Sequence, residues 1–521
     1  MTNCLGSKTH FVLFLFLFTL LGASAQGDHA ILWLKDKQSD QNWDPSAHFS
    51  PRSIEKRLHA GQRWDQLDLP VNPRYIDQVK AEGVAILGVS RWHNAILIKG
   101  EALAFYSMDF IDYVQELPGN FTKNDRVAAV LPGGKKTGIT MDQVREFLEV
   151  PEGLGAGTYI AVFDAGYLGV DSLTAFQSMN VKHQYNFVSQ NDSVYGLHDH
   201  GTLVLSMLAA RDDNGIVNGL APEADYALFI TENVESERLI EEFYWSLAAE
   251  ECDSLGVDVI NSSLSYTEFD DVAESHDFDE LNGNTTLVAR SANIASKKNM
   301  VVVVSAGNLG ETEWKRIGSP ADASGALAVG AISEKFKTAP RPASFSGYGP
   351  NAAYEKKPEI SAPGEALPYF APNGAVLYGN GTSFSAPIIS GAIASLLSSK
   401  GAWSGKFEDL KLALVQSASN YPVYGEQLGY GWPNFTGALD ILENGAQEGK
   451  FSVFPVPAKG QFSIFPRADK VSLFDAKFQE LELEKSELDH IYSTPYDLST
   501  GVYLLKIERA GEVFIQTLML D

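Results

Sequence analysis

Apolar residues in the middle of the chain form short continuous runs and do not alternate with polar residues. The runs are TYIAVFD (158–164), ADYALFIT (224–231), VDVINSSLS (257–265) and MVVVVSAGN (300–308). Continuous runs of this length indicate strands buried on both faces of a parallel sheet. An amphipathic segment, SERLIEEFYWSLAAEE (236–251), separates the second run from the third and completes a strand–helix–strand unit. We therefore predict an α/β domain with a doubly wound parallel sheet over residues 136–445.

The pattern before this domain is different. Strand-like apolar stretches at 29–36 and 86–100 alternate with helix-like stretches at 50–64 and 75–83. Strands and helices in so short a segment predict a small α+β sandwich over residues 26–135. The Pro, Gly and Lys residues of LPGGKKTG (131–138) are typical of a linker at its end.

The last part of the chain contains short strand-like stretches separated by turn residues. They are FSVFPVP, GQFSIF, KVSLFD, QELELE and GVYLLKIE. No helical periodicity accompanies them, which predicts a small antiparallel β-sandwich over residues 446–521.

The first 25 residues have the pattern of a secretory signal peptide. Lys8 precedes an apolar run at 11–21, and Ala23-Ser24-Ala25 follows it as a cleavage signal. The run is too short to span a bilayer, which needs about 20 apolar residues. We expect cleavage after Ala25 and a secreted product.

Composition excludes several classes of function. The chain has 521 residues, of which 45% are hydrophobic, and a net charge of -26. This charge argues against nucleic acid and anionic membrane surfaces as partners, because both require a positive patch. Cys4 and Cys252 are the only cysteines, so neither a disulfide framework nor a cysteine-rich metal site is expected.

One serine stands between small residues in YGNGTSFSAP (378–387). Ser383 is either the N-cap of a helix or a nucleophile, and the stretch alone does not decide between them. A nucleophilic serine needs a base, an acid that orients the base, and donors for the developing oxyanion.

Candidates for these roles occur elsewhere in the chain. His200 opens a helix after polar residues, where we expect it to be accessible. Asp164 ends a buried strand, and a carboxylate there needs a partner such as an imidazole N–H. Asn308 ends VVVVSAGN, where its side-chain amide could donate to an oxyanion.

The segments AVFDAGY, HGTLV, VVVVSAGN and GTSFSAP, in that order, resemble the subtilisin-like serine proteases, the subtilases. The resemblance implies that Asp164 orients the imidazole, His200 acts as base and then as acid, and Ser383 attacks the substrate. It also implies two oxyanion donors, the Asn308 amide and the Ser383 backbone N–H at a helix N-terminus. Pro387 is expected in the first turn of that helix, where no N–H is needed.

The resemblance extends to the substrate-binding residues. Ser263-Leu264-Ser265 of INSSLS resembles the strand that pairs with the peptide backbone, and Gly307 and Gly381 are expected beside the bound peptide. Ala165 is a departure, since Thr or Ser is common after the aspartate. The resemblance implies a secreted serine endopeptidase that acts on proteins or peptides and requires no cofactor.

The flanking regions resemble known modules too. Residues 26–125 look like the propeptides of Bacteroidota subtilases, which implies an inhibitory segment. The last residues resemble the sorting domains read by type IX secretion, which implies export through the periplasm to the cell surface or the medium. Val456 departs from that motif, because Asn is usual there. An ordinary accessory β-sandwich is the alternative.

Two further questions stay open at this point. The pairs Asp212-Asp213 and Asp270-Asp271 are candidates for structural calcium, but acidic loop pairs are more often simply solvated, so no metal ligand is assigned. The functional alternative is a catalytically inactive, surface-displayed binding protein on the same scaffold, which the intact catalytic candidates argue against. An esterase of the α/β-hydrolase type is disfavoured because no G-x-S-x-G surrounds Ser383.

Overall fold

The structure is a computed structural model that describes residues 28–37, 43–117, 138–399, 405–444 and parts of 452–520. The predicted signal peptide, most of the linker at 131–138, and Val456 lie outside the described residues.

The N-terminal part is a four-stranded antiparallel sheet with two helices. Its strands have the order β2-β3-β1-β4. The elements are β1 (His29–Leu34), α1 (Pro51–His59), α2 (Pro73–Ala81), β2 (Ala85–Ser90), β3 (Ala95–Lys99) and β4 (Ile111–Leu117). The strand-like stretch at 86–100 forms two strands, joined by a turn in which Asn94 has a φ of 50°. Helix α1 is shorter than expected because Gly61, with a φ of 63°, leaves the helical conformation.

The central part is a seven-stranded parallel sheet with the order β11-β10-β9-β8-β5-β7-β6. Its strands are β5 (Tyr159–Asp164), β6 (Asn180–Asn186), β7 (Asp225–Ile230), β8 (Val259–Ser262), β9 (Val301–Ser305), β10 (Ala326–Ile332) and β11 (Ile360–Pro363). A hairpin of β12 (Leu367–Phe370) and β13 (Val376–Gly379) follows. The predicted doubly wound α/β architecture is confirmed.

Helices cover both faces of this sheet. They are α3 (Met141–Phe147), α4 (His200–Leu208), α5 (Ile240–Leu255), α6 (Leu287–Lys297), α7 (Thr382–Ser399), α8 (Phe407–Gln416) and α9 (Phe435–Asn444). Ile160 and Val162 of β5 belong to one hydrophobic core with α4 and α7. Ala161 and Phe163 belong to a second core with α5 and α6. Burial on both faces is the reason for the continuous apolar runs.

Two helices of the central part have features that the sequence pattern alone does not show. Helix α5 ends four residues later than predicted, because Gly256, with a φ of 80°, provides the left-handed conformation that terminates it. Helix α7 is long and apolar enough to cross a membrane by length and composition, but 89% of it is buried inside the fold. It is the central helix of the domain core.

The C-terminal part has two four-stranded antiparallel sheets, with the orders β14-β15-β19-β18 and β17-β16-β20-β21. The strands are β14 (Ser452–Phe454), β15 (Gln461–Phe465), β16 (Lys470–Phe474), β17 (Glu480–Leu481), β18 (Glu484–Lys485), β19 (Ile491–Ser493), β20 (Gly501–Arg509) and β21 (Glu512–Leu520). QELELE is divided between β17 and β18, which lie in different sheets. The two sheets enclose a hydrophobic core of their own.

The N-terminal sheet packs against α5 and α6 of the central part. Ile31, Trp92 and Leu97 are buried in the same core as Trp245. Buried charged side chains also contact one another across this boundary. The Arg57 guanidinium is 2.6 Å from the carboxylate of Asp253 on α5.

Candidate active site

Asp164 and His200 form a buried pair at the carboxyl end of the parallel sheet. Nδ1 of His200 lies 2.9 Å from each of the two carboxylate oxygens of Asp164. Asp164 is the last residue of β5, and its Oδ1 also accepts the backbone N–H of Ala165 at 2.8 Å. The predicted turn after the strand therefore holds the carboxylate in place.

Glycine at position 201 brings the histidine to the aspartate. The Gly201 backbone N–H donates to the Gly166 carbonyl at 2.9 Å. A Cβ on Gly201 would lie 2.5 Å from that oxygen and 2.6 Å from the ring of Tyr167, closer than real contacts permit. Helix α4 can approach the turn after β5 only because residue 201 has no side chain.

The expectation that His200 is accessible was wrong, because its side chain is only 4% exposed. The helix start packs onto the turn at 165–167 through Gly201, and the imidazole lies against the buried carboxylate of Asp164. Burial by itself lowers the pKa of His200, but the charge and hydrogen bond of Asp164 outweigh it, so the pKa is raised above its ordinary value. Nε2 is buried and makes no hydrogen bond to any residue that the structure describes. This nitrogen is therefore available for a substrate-side proton.

Ser383 is the second residue of α7, on the side of the sheet where α4 also packs. Its side chain is 7% exposed. Pro387 was expected in the first turn of this helix. It lies beyond that turn, inside the helix. A residue with an N–H at that position would donate to the Ser383 carbonyl. The hydroxyl of Ser263 donates to this carbonyl at 3.3 Å in its place.

Asn308 is fixed by two hydrogen bonds to the start of α7. Its Oδ1 accepts the backbone N–H and the hydroxyl of Thr382, both at 2.9 Å. The amide nitrogen Nδ2 faces Gly381, where an added Cβ would lie 3.4 Å from Nδ2 and 3.7 Å from Oγ of Ser383. The amide donor and the serine oxygen therefore border the same small space.

The predicted substrate-binding residues lie around that space. Strand β8 ends at Ser262, so Ser263, Leu264 and Ser265 lie beyond it and outside the sheet ladder. The Leu264 carbonyl accepts the hydroxyl of Ser305 at 3.5 Å. Gly307 has a φ of 85°, and a Cβ there would lie 3.0 Å from Oγ of Ser265. Their pairing with a peptide remains a prediction.

Sequence reasoning missed Glu232, which lies two residues after the end of β7. Its Oε1 accepts the hydroxyls of Tyr266 at 2.6 Å and Thr231 at 2.8 Å. Burial raises the pKa of its carboxyl to about 7, and the charge of Asp164 adds to the effect. The sequence did contain a signal for Glu232, because this polar residue follows the carboxyl end of β7, where active sites of such sheets form.

The acidic pairs considered for calcium have other partners. The Asp212 carboxylate accepts the backbone N–H groups of Asn214, Ile216 and Val217 and so closes a turn. Asp270 accepts the backbone N–H of Glu237 at 3.1 Å.

Comparison with known proteins identifies two regions of the chain. The profile of the subtilase family, Peptidase S8, matches residues 155–432. The profile of the peptidase S8 propeptide domain of Bacteroidota matches residues 29–129. The segment predicted to be a propeptide therefore carries a propeptide domain.

Curated relatives and solved structures agree with these matches. Subtilisin NAT of Bacillus subtilis subsp. natto is 28% identical over 256 residues, which are 48% of this chain and 58% of the relative. The subtilisin of Bacillus pumilus is 29% identical over 48% of this chain and 80% of its own length. The chain thus spans little more than half the length of the first of these relatives.

The epidermin leader peptide processing serine protease of Staphylococcus aureus has a similar fold. Its structure aligns with a TM-score of 0.52 over 80% of this chain and 99% of its own, at 17% identity. An identity this low supports the fold and no finer property.

Proposed function

Because the chain belongs to the subtilase family of serine peptidases, we propose that it is a secreted endopeptidase that acts through Ser383, His200 and Asp164. The observation that carries the proposal is the buried His200–Asp164 pair, with Nδ1 2.9 Å from both carboxylate oxygens. That bond fixes the ring so that Nε2, which has no partner among the described residues, is the nitrogen left to accept a proton.

Each proton in the proposed reaction has a defined place. Oγ of Ser383 attacks the peptide carbonyl carbon while Nε2 of His200 takes the hydroxyl proton. The negative charge that forms on the carbonyl oxygen accepts hydrogen bonds from Nδ2 of Asn308 and from the Ser383 backbone N–H. His200 then gives its proton to the leaving amine, and the peptide remains as an ester on Ser383. A water molecule then attacks the ester carbon while Nε2 of His200 takes one of its protons. His200 returns that proton to Oγ of Ser383 as the ester bond breaks, which releases the acid product and restores the enzyme.

Asp164 stabilises the charged intermediate of this cycle. The imidazolium that forms on His200 lies against the carboxylate of Asp164 in a site that excludes water. The raised pKa of His200 is consistent with such a base. An inactive binding protein would gain nothing from a buried charge pair of this kind, because burying it carries a cost in stability.

Replacement of the nucleophile tests the proposal. Ser383→Ala removes one oxygen and should abolish hydrolysis of casein and of peptide substrates while the protein remains folded. Ser385→Ala is the matched control, because this serine lies on the same helix and its hydroxyl donates to the carbonyls of Ala362 and Pro363. Casein hydrolysis by purified Ser383→Ala protein at the wild-type rate would refute the proposal.

We also propose that the N-terminal domain inhibits the enzyme until it is cut off. The domain has a hydrophobic core of its own and packs on α5 and α6. The isolated segment, added to mature enzyme, should inhibit peptide hydrolysis at low concentration. Lack of inhibition at a large excess of the segment would refute this role.

We propose that residues 446–521 direct export by type IX secretion and take no part in the chemistry. Their separate core supports this division, since the catalytic candidates all lie before them. A chain truncated after residue 446 should keep its specific activity and should stop in the periplasm of a host with this secretion system. A fluorescent protein that carries the tail and is not exported would rule out the sorting function.

A further inference from the structure

Strand β8 carries one amide side chain between apolar neighbours. Asn261 is fully buried, and it pairs with Val162 of β5 and with Val303 of β9. Val259, two residues earlier in the strand, belongs to the core that contains α7, so Asn261 lies on the same side of the sheet. A buried amide needs hydrogen-bond partners, because burial removes its contacts with water. Since its neighbours in the sheet have apolar side chains, the partners come from elsewhere.

Helix α7 provides the first partner. The hydroxyl of Ser390, which is also fully buried, donates to Oδ1 of Asn261 at 2.9 Å. The Ala386 carbonyl lies 3.1 Å from the same hydroxyl, so the amide oxygen is the closer acceptor. With Oδ1 directed at Ser390, the nitrogen Nδ2 is directed away from it and is left to donate to another group.

Ser263 is the second partner. Nδ2 of Asn261 donates to Oγ of Ser263 at 3.2 Å, and the Ser263 hydroxyl donates to the backbone carbonyl of Ser383 at 3.3 Å. A serine hydroxyl has one proton to donate. Because Asn261 presents a donor to Oγ and not an acceptor, that proton is left for the Ser383 carbonyl. Asn261 therefore sets the direction of the hydrogen bond that reaches the proposed nucleophile.

These bonds attach α7 to β8 at two places. Ser383 is the second residue of the helix, and Ser390 lies about two turns further on. Between them, Pro387 has no N–H to donate to the Ser383 carbonyl. The first turn of α7 therefore depends on β8 for a contact that a helix normally makes by itself.

We infer that Asn261 is a positioning residue for the proposed nucleophile and acts through Ser263. This inference rests on the proposed function. The first turn of α7 contains both Oγ and the backbone N–H of Ser383, and the amide keeps both in place relative to His200 and Asn308. Loss of this constraint slows the chemical step more than it weakens peptide binding, because a misplacement of about 1 Å can cost about 10²-fold in rate.

Asn261→Leu tests this role, because leucine has a similar branched shape and makes no hydrogen bonds. Replacement of a buried polar group by an apolar group of the same shape can leave stability nearly unchanged. We expect a thermal melting temperature close to that of wild type, a kcat lower by about tenfold or more, and little change in KM. A purely structural role would lower stability and activity together.

A double variant tests whether the effect passes through Ser263. In protein that already carries Ser263→Ala, Asn261 has no hydroxyl to orient, so Asn261→Leu should lower kcat no further. Ser390→Ala leaves Asn261 in place but removes the donor that fixes its amide. It should lower kcat in the same direction by a smaller factor, and it decides the question if Asn261→Leu does not fold.

Ser395→Ala is the matched control. Ser395 is a buried serine of the same helix, but its hydroxyl donates to the Leu220 carbonyl at 2.6 Å, away from the proposed nucleophile. This variant should lose stability and keep the kcat of wild type. A folded Asn261→Leu protein with wild-type kcat, or an equal loss in the presence and absence of Ser263→Ala, would overturn the inference and leave the proposed function standing. A processed wild type that cleaves no peptide and takes no fluorophosphonate label would overturn both.

Discussion

The hydroxyl of Ser263 donates to the backbone carbonyl of Ser383 at 3.3 Å, in the position where a helix normally has its own N–H. Pro387 has no N–H to give to that carbonyl. The proline therefore leaves the Ser383 carbonyl without its helical hydrogen bond, and Ser263, in the segment after β8, donates to that carbonyl. One bond thus links the proposed nucleophile to the proposed substrate-binding segment.

Loss of that bond should be measurable. Ser263→Ala leaves the Ser383 carbonyl buried without a donor, so we expect a loss of about 1–3 kcal/mol in the free energy of unfolding. Pro387→Ala restores an N–H to the helix, and the double variant should recover part of the loss. Urea unfolding of the three variants measures both effects. A double variant no more stable than Ser263→Ala would show that the proline does not govern this contact.

Asn308 has two functions that different substitutions separate. Asn308→Ala should lower kcat by about 10²–10³ with little change in KM, because the oxyanion bond forms in the transition state. Asn308→Asp keeps the acceptor for Thr382 but has no amide donor. It should lose activity too, while its thermal stability stays close to that of wild type. Steady-state kinetics measures the loss of the oxyanion donor, and thermal melts measure the loss of the bonds to Thr382. A change confined to KM would contradict the role of Asn308 as oxyanion donor.

The buried charges between the N-terminal domain and α5 should matter for docking. Arg57 contacts Asp253 at 2.6 Å and Asp68 at 3.0 Å, and all three side chains are buried. Arg57→Ala in the isolated segment leaves buried carboxylates short of a partner, which costs about 3–5 kcal/mol in such cases. We expect inhibition of the mature enzyme to weaken by about 10²-fold or more.

A surface ion pair serves as the control for that prediction. Arg211 and Glu223 are 3.0 Å apart, but both are largely exposed. Exposed pairs contribute about 1 kcal/mol or less. Arg211→Ala in the mature enzyme should leave inhibition by the wild-type segment unchanged. Equal effects of the two substitutions would show that burial of the Arg57 cluster is not what holds the domain.

His93 should make the docking of the N-terminal domain sensitive to acid. Its Nε2 is 2.7 Å from the hydroxyl of Ser291 on α6, and burial, with the charges of Arg290 and Lys37, lowers its pKa to about 3 from 6.5. The docked state therefore binds fewer protons than the separated state between these two values. Docking is strongest above pH 6.5 and weakens as the pH falls toward 3. We expect a loss of about 2 kcal/mol at pH 5, since one pH unit below the free pKa corresponds to about 1.4 kcal/mol.

Inhibition measured at pH 7 and pH 5 tests this dependence. His93→Gln keeps a group that can hydrogen-bond to Ser291 but does not titrate, so its inhibition constant should change less between the two values. Since His200 also titrates, each comparison uses the same mature enzyme with wild-type or His93→Gln segment. An identical pH dependence for both segments would exclude His93 as the source.

Burial decides which parts of the fold the sequence predicts. The parallel sheet is predictable because strands such as β5 are buried on both faces, and Asp164 and Asn308 stand out because polar residues follow such strands. The strand order, with β5 between β7 and β8, depends on how the connections cross the sheet, which periodicity does not record.

Contacts between distant loops are where sequence reasoning fails. Ser265 and Gly318 lie against each other because the bridge from Tyr266 to Ser319 brings two separate segments together. The position of the His200 helix depends in the same way on the turn that contains Tyr167, which packs against Gly201. The sequence pattern shows that a helix is present, as at α5, but it does not record its packing against distant segments.

The most direct test of the central claim is the site of a fluorophosphonate adduct, located by mass spectrometry on the processed protein. The account predicts one adduct on Ser383, abolished by His200→Ala because the serine then lacks its base, and retained in Ser385→Ala. Covalent labelling of another residue, or peptide hydrolysis by a protein whose Ser383 stays unlabelled, would contradict it.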